Sequence, residues 1–426
     1  MAASSKAQPS VTPVHHRVQL MRELLPMNRK TRLNLEYMLL QGAYWALYCS
    51  ARNFGTVFLQ GRGYSNSALG LILGVGPLIC LFLSAKLAEY VDNRGGSTVY
   101  VTNGVLYTAL LVLNLLIFFV KGKGILISIS FAIMGCLLIS INPLNTEISL
   151  RAGDSPEDIN YGRARGCGSL TYAVASAALG TLVAVFSPDM IPLVSAAFAA
   201  VNLVGLYFIY KTGNKGAEKP AELKTQKVKP ISLAEFFRRY HRFTIFLLGV
   251  ALIYFAHNAL VTYMINIVRN LGAEADTLGR INALMAIMEL PAMFLFNRIC
   301  KRFDCRKVLG VAMIFMVVRV IIICTATNIR GLYMAQIAQA LGFALAVPGL
   351  VRYAKVMIPE EDSAKAQSIS FAASTLGNVL AGFVGGRLLD IMSISKVLLV
   401  LSVTAVIGLV ITFANLDMKA QIKNNT

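Results

Sequence analysis

Charged residues are scarce in this chain of 426 residues: they make up 14% of it, while apolar residues make up 56%. The mean hydropathy is correspondingly high, at +0.63. Soluble domains carry roughly 25% charged residues, so the composition excludes an ordinary soluble domain. It predicts instead a protein that crosses a membrane many times.

Residues for metal binding or covalent chemistry are also sparse. The seven cysteines are an odd number, and most lie inside apolar stretches, at Cys49, Cys80, Cys136, Cys167, Cys300, Cys305 and Cys324. They form no Cys/His cluster with the spacing of a zinc site, so we expect apolar packing without disulfides. The sequence shows no Ser/His/Asp set, phosphate-binding loop or added soluble domain. It therefore predicts no enzyme, no metal and no cofactor.

The N-terminal segment lacks the apolar core of a signal peptide and contains Pro9, Pro13, His15 and His16 instead. After it, apolar stretches of membrane-spanning length recur about twelve times. Their approximate bounds are about 35–59, 67–90, 97–120, 124–150, 164–187, 189–211, 243–268, 277–300, 307–327, 331–357, 364–390 and 394–416. The alternation typical of an outer-membrane β-barrel is missing. The expected fold class is an all-α membrane protein of about twelve transmembrane helices.

Basic residues cluster in alternate connections between these stretches. They crowd the segments before span one, between spans six and seven, and between spans eight and nine, at Arg17, Arg22, Arg29, Lys30, Arg32, Lys215, Lys219, Lys224, Lys227, Lys229, Arg238, Arg239, Arg242, Arg298, Lys301, Arg302, Arg306 and Lys307. The links after spans one, three and seven contain few basic residues, namely Arg62, Lys121, Lys123 and Arg269. The positive-inside rule therefore places both termini in the cytoplasm, beneath a plasma or inner membrane. The net charge of +19 then reflects topology and attraction to anionic lipid, and no nucleic-acid partner is expected.

The long basic segment divides the spans six and six, and the two sets share motifs. Each set has two glycines seven residues apart at the entry to its second span, Gly63 and Gly70, then Gly272 and Gly279. Each of these spans runs to an acidic and basic turn, with Asp92 and Arg94, then Asp304 and Arg306. The repetition indicates a duplication.

The predicted domain organisation follows from the spans and the duplication. It comprises a cytoplasmic tail 1–34, a six-helix half 35–211, a basic cytoplasmic linker 212–242, a six-helix half 243–417 and a cytoplasmic tail 418–426. Two pseudo-symmetric halves around a central site are the architecture of transporters that rock between two states.

These features resemble the major facilitator superfamily, which carries such paired turns after spans two and eight. The run "YGRARGCGSL" resembles the "GRxRxxGS" signature that opens span five in the branch with the lactose permease, the phenylpropionate permease and nucleoside symporters. In spans eight and eleven, "AIMELPAMFLF" and "AKAQSISFAASTLGNVLAGFVGGRLLD" fit the same branch. The resemblance runs from Asn34 to Asp417. It implies the major facilitator fold and alternating access, with a small-molecule solute and the bilayer as partners and no obligate protein partner.

Ionisable side chains inside the spans are candidates for function, because one at mid-bilayer costs roughly 2.5 to 3.5 kcal/mol on insertion scales. Each should face the bundle interior and find a partner or water. The candidates are Arg52, Glu147, Arg163, Arg165, His257, Glu289 and Arg319, with the amide Asn258 beside His257. We expect Arg52, His257 and Asn258 to bind the solute. The alternative for His257 is a hydrogen-bonded packing role.

Glu147 and Arg165 lie near the cytoplasmic ends of neighbouring antiparallel spans, so they can meet. In the lactose permease an acid on span four and an arginine on span five hold the sugar, with an aromatic ring two turns further along. The resemblance therefore implies that Glu147, Arg165 and Tyr172 bind the solute. The alternative is a salt bridge that locks one conformation, with Tyr172 packed in the core.

Glu289 stands alone in an apolar helix, two residues before Pro291. Proton coupling requires a carboxyl group that changes charge near pH 7, and burial among apolar residues is one way to obtain it. The resemblance also implies an acid on span eight that binds substrate and protons. We therefore expect Glu289 to couple protons, together with Glu147 and Arg319. The alternative is a constant ion pair of Glu289 with Arg319 or Arg52.

Span ten departs from the lactose permease, which carries a histidine and a glutamate one turn apart there. This chain has Gln336 and Gln339 instead, so Glu147 and Glu289 must carry any coupled proton. The two acidic and basic turns are expected to act as latches that pair charges across the halves, through Asp92, Arg94, Asp304 and Arg306. The alternative is that they are simply solvated.

The sequence thus favours a proton-coupled symporter that takes up a small polar solute, such as a sugar, oligosaccharide or nucleoside. Two alternatives stay open. One is a proton-coupled carrier of an aromatic or other organic acid. The other is an efflux carrier for amphipathic compounds, which the Met-rich and Phe-rich spans would suit but the number of interior charges would not.

Overall fold

The computed structural model describes residues 28–155, 158–213 and 232–416, which are almost entirely helical and include no β-strand. The predicted tail 1–34 is described only from residue 28, and the predicted linker 212–242 only at its two ends. The predicted tail 418–426 lies outside the described residues.

The first six helices form one half of the bundle. Helix α1 consists of Arg29–Tyr48, a π-helical turn Cys49–Asn53 and the continuation Gly55–Gly61. It is followed by α2 (Asn66–Arg94), α3 (Thr98–Phe119), α4 (Ile125–Arg151), α5 (Tyr161–Val185) and α6 (Ile191–Thr212). Ser65 and Asn160 cap the N-termini of α2 and α5, because their side chains accept hydrogen bonds from backbone amides of the first turn.

A short helix, Leu233–Arg239, leads into the second half. Three helices of this half are interrupted: α7 is His241–Thr262 and Met264–Asn270, α10 is Ile329–Leu341 and Phe343–Met357, and α11 is Glu360–Leu380, a π-helical turn Ala381–Gly385 and Gly386–Ile391. The others are α8 (Ala275–Arg302), α9 (Cys305–Thr325) and α12 (Ile394–Asn415).

Eleven helices of the described chain, α2 to α12, are long and apolar enough to cross a membrane. Helix α1 is not among them, because Arg29–Tyr48 begins with charged residues and gives way to the π-helical turn. It nevertheless packs along α5 and α6. The prediction of about twelve spans corresponds to these eleven helices and α1.

The two halves repeat one packing pattern. In the first half α1 packs against α5 and α6, α3 against α6, and α2 against α4. In the second half α7 packs against α11 and α12, α9 against α12, and α8 against α10. The pairs correspond when each helix is matched to the one six places later. The halves are therefore pseudo-symmetric, as the duplicated motifs predict.

The halves meet where α5 packs against α8 and α2 against α11. We call the end of the bundle at which α1 begins and α12 ends the linker end, and the opposite end the far end. Near the far end, a Cβ on Gly279 would lie 2.5 Å from the carbonyl oxygen of Ser176, and one on Gly382 would lie 2.5 Å from that of Gly70. Only glycine permits this approach of two backbones.

Hydrogen bonds also join the halves at the far end. The Asp390 carboxylate of α11 accepts bonds from the backbone amides of Asn66 at 3.0 Å and Ser67 at 2.8 Å. These amides form the N-terminus of α2, where the helix dipole favours a negative charge. Nearby, Gln60 Nε2 donates to Asn266 Oδ1 at 2.7 Å. The far end is therefore closed.

Candidate functional site

A cavity of about 490 Å³ lies between the halves. It extends from Asn53 and Asn258 to Tyr161, the exposed first residue of α5 at the linker end. Its wall is formed by α1, α4 and α5 from one half and by α7, α8 and α10 from the other. Because both halves line it and it reaches the linker end, we call it the main cavity and treat it as the candidate site.

Arg165 lies in the wall of the main cavity, one turn into α5. Its guanidinium carbon lies 4.0 Å from the centroid of the Trp45 ring, which is a cation–π contact. Its Nη1 donates a hydrogen bond of 2.7 Å to Ser169 Oγ. The charge of Arg165 is thus held at the cavity surface by an aromatic face and a hydroxyl group.

Tyr172 lies two turns further along α5 and lines the same cavity. Asn53 of α1 donates a hydrogen bond to its hydroxyl group through Nδ2. Asn53 is the last residue of the π-helical turn, a feature that often occurs at functional sites because it changes the direction of the side chains that follow it. The structure thus brings Arg165 and Tyr172 into one cavity, and their role in solute binding stays a prediction.

Glu289 also lines the main cavity, on the α8 side. Gln339 Nε2 of α10 donates a hydrogen bond of 2.8 Å to its Oε1. Arg165 and Arg319 are close enough to interact electrostatically with this carboxylate, but Glu289 forms no ion pair with either in the described structure. Among the described residues Glu289 is the only acidic side chain of the cavity wall.

Arg319 lies behind this wall, only 1% exposed, in α9. Its Nη1 lies 3.1 Å from His257 Nδ1, and its Nη2 donates a bond of 3.1 Å to Gln336 Oε1. Because a guanidinium has only donors, His257 must accept through Nδ1 and carry its proton on Nε2. The His257 ring stacks on Phe343, with centroids 4.8 Å apart. His257 therefore lines the cavity and also holds Arg319, which fits the packing alternative.

Arg52 and Asn258 meet in a second, smaller cavity of about 60 Å³, which we call the Arg52 cavity. It adjoins the main cavity, because Tyr48, Asn53, Asn258 and Val261 line both. Arg52 is 8% exposed. Two of the predicted site residues are thus neighbours, although they come from different halves.

Glu147 is the main correction. Its Oε1 accepts a hydrogen bond of 2.8 Å from Arg151, which also donates at 2.7 Å to Asp92 of α2. Arg165 has other partners, so the predicted pair of Glu147 and Arg165 does not form in this conformation, and a role of Glu147 in solute or proton binding stays a prediction. The physical reason is local: Arg151 lies one helical turn after Glu147 and on the same face. Glu147 is likewise not among the residues that line the main cavity in the described structure.

The predicted latches find partners within their own halves. Asp304 binds Arg306, with Nη2 to Oδ2 at 2.8 Å, while Asp92 binds Arg151. Arg94 donates to the hydroxyl group of Tyr90 at 2.8 Å. These contacts join residues of the same half, whereas the expectation is pairing across the halves. Latching in another conformation stays a prediction.

Trp45 and Asn53 are among the site residues that were missed from the sequence. Trp45 is the only tryptophan in the chain and lies in a span, which was an available signal. Asn53 is a single amide in an apolar run. Its contact with Tyr172 joins helices far apart in sequence, so no local signal could have found it.

Residues 32–400 match the MFS_1-like family. The chain belongs to this family of the major facilitator superfamily. The maltose permease of Geobacillus stearothermophilus is 26% identical over 393 residues, which cover 90% of this chain and 93% of the permease. The probable 3-phenylpropionic acid transporter of Escherichia coli (strain K12) is 25% identical over 304 residues, which cover 70% of this chain and 76% of that transporter.

Solved transporter structures share the fold of this MFS_1-like chain. A mutant of the nucleoside transporter NupG superposes with a TM-score of 0.78 at 13% identity, covering 90% of this chain and all of that one. A mutant of the peptide transporter POT gives a TM-score of 0.68 at 13% identity, and the match covers 90% of this chain and 93% of that one. At these identities the likeness concerns the fold alone. The predicted major facilitator fold is confirmed, and the protein is a multi-pass membrane transporter rather than an enzyme.

Proposed function

We propose that this transporter is a proton-coupled symporter that takes up a small polar organic solute through the main cavity. Glu289 carries the proposal, because it is the acidic side chain that the cavity wall offers among the described residues. The basic segments support a plasma or inner membrane location with both termini in the cytoplasm. The linker end then faces the cytoplasm, and the described conformation is the inward-facing one.

The surroundings of Glu289 suit a carboxyl group that gains and loses a proton. When ionised, it accepts a hydrogen bond from Gln339 and is stabilised by the positive charges of Arg165 and Arg319. When protonated, it has no net charge, and the halves can close over it without enclosing an anion. Proton release toward the cytoplasm would then follow the departure of the solute.

The available driving force is sufficient. One charge that moves through about 100 mV supplies ~2.3 kcal/mol, and one pH unit adds ~1.4 kcal/mol. Together they allow a neutral solute to accumulate a few hundredfold. An anion that moves with a single proton gains only the pH term, which is about tenfold per pH unit.

Two solute classes fit parts of the cavity. The rings of Trp45, Tyr48 and Tyr172 offer stacking surfaces for a sugar, oligosaccharide or nucleoside, and two of the similar proteins are named as a maltose permease and a nucleoside transporter. The second candidate is an aromatic or other organic acid, which the arginines of the site favour. One of the relatives is named as a probable transporter of 3-phenylpropionic acid.

Solute-driven proton movement tests the proposal directly. Purified protein is reconstituted into liposomes that contain a pH-sensitive dye, and maltose, uridine or 3-phenylpropionate is added outside. We expect at least one solute to acidify the interior. Glu289→Gln should abolish this response, because an amide cannot exchange a proton. Glu360→Gln is the matched control, since Glu360 is exposed at the start of α11; it should behave as the parent does. If solute uptake is unaffected by an imposed pH gradient and is equal in Glu289→Gln and the parent, the symport proposal is wrong.

A further inference from the structure

Arg52 is a buried cation without a described partner. It lies in the π-helical turn of α1 and is 8% exposed. No hydrogen bond or ion pair joins its guanidinium to another residue in the part of the chain that the structure describes. A charge withdrawn from water in this way is unfavourable unless a counter-charge or several hydrogen bonds compensate it.

The other arginines of the site have partners. Arg165 rests on the ring of Trp45, and Arg319 bonds to His257. Arg52 instead lines the Arg52 cavity, which adjoins the main cavity. Among the described residues, Arg52 is therefore the arginine of the site whose guanidinium has no hydrogen bond, ion pair or ring contact.

The wall of the Arg52 cavity is polar. It contains the side-chain amides of Asn53, Asn258 and Asn378 and the hydroxyl groups of Thr56 and Thr262. No acidic side chain lines it among the described residues. Amide and hydroxyl donors around a guanidinium form the usual environment of a bound carboxylate.

The main cavity next to it suits the remainder of such a molecule. Its wall includes the rings of Trp45, Tyr172 and Phe343. The Arg52 cavity and the main cavity share Tyr48, Asn53, Asn258 and Val261 in their walls, so the two spaces are adjacent. Among the described residues, Arg52, Arg165 and Arg319 outnumber the one carboxylate of the two cavity walls, Glu289, so this part of the chain gives the site an excess of positive charge.

We propose that the Arg52 cavity is an anion subsite, and that the solute is a small organic acid whose carboxylate binds Arg52. The apolar or aromatic body of the solute then lies in the main cavity. A guanidinium binds a carboxylate through two parallel N–H···O hydrogen bonds, and occupation would compensate the buried charge. The assignment rests on the proposed transport function, but not on its proton site, because Glu289 does not line the Arg52 cavity.

Matched pairs of ligands test the subsite in detergent solution, without any gradient. Benzoate, 3-phenylpropionate and lactate are each compared with the corresponding amide, and binding is measured as the concentration-dependent rise in the unfolding temperature. We expect at least one carboxylate to bind the parent protein more tightly than its amide. Arg52→Gln should weaken that carboxylate about tenfold or more and leave the amide unchanged.

Two further variants keep the test decisive. Asn378→Leu removes an amide of the wall on another helix, α11, and should weaken the same carboxylate even if Arg52→Gln does not fold. Arg330→Gln is the control, because Arg330 is exposed at the start of α10 and should not affect binding. Equal binding of carboxylates and amides, absence of binding by all three carboxylates, or unchanged affinity in Arg52→Gln would each overturn the subsite.

Failure of the subsite and failure of the symport proposal give different results. Glu289→Gln should still bind the carboxylate in detergent while it loses solute-driven proton movement in liposomes. If carboxylates bind through Arg52 but no solute moves protons, the subsite stands and proton coupling is wrong. If uridine or maltose moves protons and no carboxylate binds, the symport proposal stands and the subsite is wrong.

Discussion

Arg165 shows why arginine and lysine are not equivalent in this site. Its planar guanidinium lies over the Trp45 ring and donates a hydrogen bond to Ser169 at the same time. A lysine ammonium is a compact, strongly hydrated charge that cannot stack in this way. We expect Arg165→Lys to reduce the initial rate of solute-driven proton movement about tenfold, from the loss of stacking and of one charged hydrogen bond.

Arg163→Lys is the matched control for that experiment. Arg163 lies two residues earlier, at the exposed start of α5. Its substitution should leave the rate unchanged. If Arg165→Lys also transports as fast as the parent, the arginine serves only as a topological anchor.

At the residue scale, the sequence predicts which charged side chains line the main cavity better than it predicts their partners. Arg165 and Glu289 are visible because each is an ionisable side chain in an apolar span. The partner of Glu147 was available locally in Arg151, one turn later, but the resemblance to the lactose permease favoured Arg165 instead. The contact of Asn53 with Tyr172 depends on how α1 packs against α5, which no local pattern records.

At the element scale, the start of α9 depends on a charged cap. Asp304 accepts a hydrogen bond from the backbone amide of Arg306, and its carboxylate binds the guanidinium of the same residue. The Arg306 side chain therefore holds the pKa of Asp304 below its usual range. A carboxylate with a lowered folded-state pKa stabilises the fold above its unfolded pKa, and this contribution is lost as the pH falls through the folded value.

Asp304→Asn tests that contribution, because asparagine keeps the cap but not the charge. We expect the variant to be less stable at pH 7 by about 1 kcal/mol. The difference should shrink as the pH falls below about 4, where Asp304 of the unfolded chain becomes protonated, and disappear once the pH is below the lowered pKa of the folded state. Thermal unfolding at both pH values measures it, with Glu361→Gln, an exposed acid, as the control. A difference that grows toward low pH would contradict the lowered pKa.

The interruptions within helices could not be predicted from the sequence. The π-helical turn of α1 leaves the apolar character of the run almost unchanged, so hydropathy predicts one span over 35–59. What the turn alters is the direction of the side chains around it, and Arg52 and Asn53 take their positions from it. The site therefore depends on a deviation from the regularity that made the helices predictable.

At the scale of the whole molecule, the duplicated glycines have two separate uses. Gly63 and Gly272 adopt positive φ angles of 79° and 76° in the turns before α2 and α8, which favours glycine at both places. Gly70 and Gly279, seven residues later, contact helices of the opposite half. The sequence predicts the repetition, whereas the partners Gly382 and Gly180 emerge only from the packing of the halves.

Gly279→Ala should loosen the closed far end. The added Cβ would lie 2.5 Å from the carbonyl oxygen of Ser176, so α5 and α8 must move apart. We expect backbone amides at the far ends of α5 and α8 to exchange hydrogen for deuterium about tenfold faster. Mass spectrometry of the exchanged peptides measures this.

Gly104→Ala is the control, since its added Cβ would meet only Leu206 at an ordinary 3.7 Å. It should leave exchange at the far end unchanged. Equal exchange in Gly279→Ala and the parent would show that closure does not depend on the glycine contact.

The glycine contacts also bear on how this protein can evolve. Where two backbones touch at a glycine, a larger residue would clash, so these glycine positions tolerate almost no substitution. Around these glycines, the halves are joined by side-chain hydrogen bonds such as that between Gln60 and Asn266. Single mutations can strengthen or weaken such bonds. Selection for faster or slower turnover should therefore change the residues that form these hydrogen bonds, while the glycines stay the same.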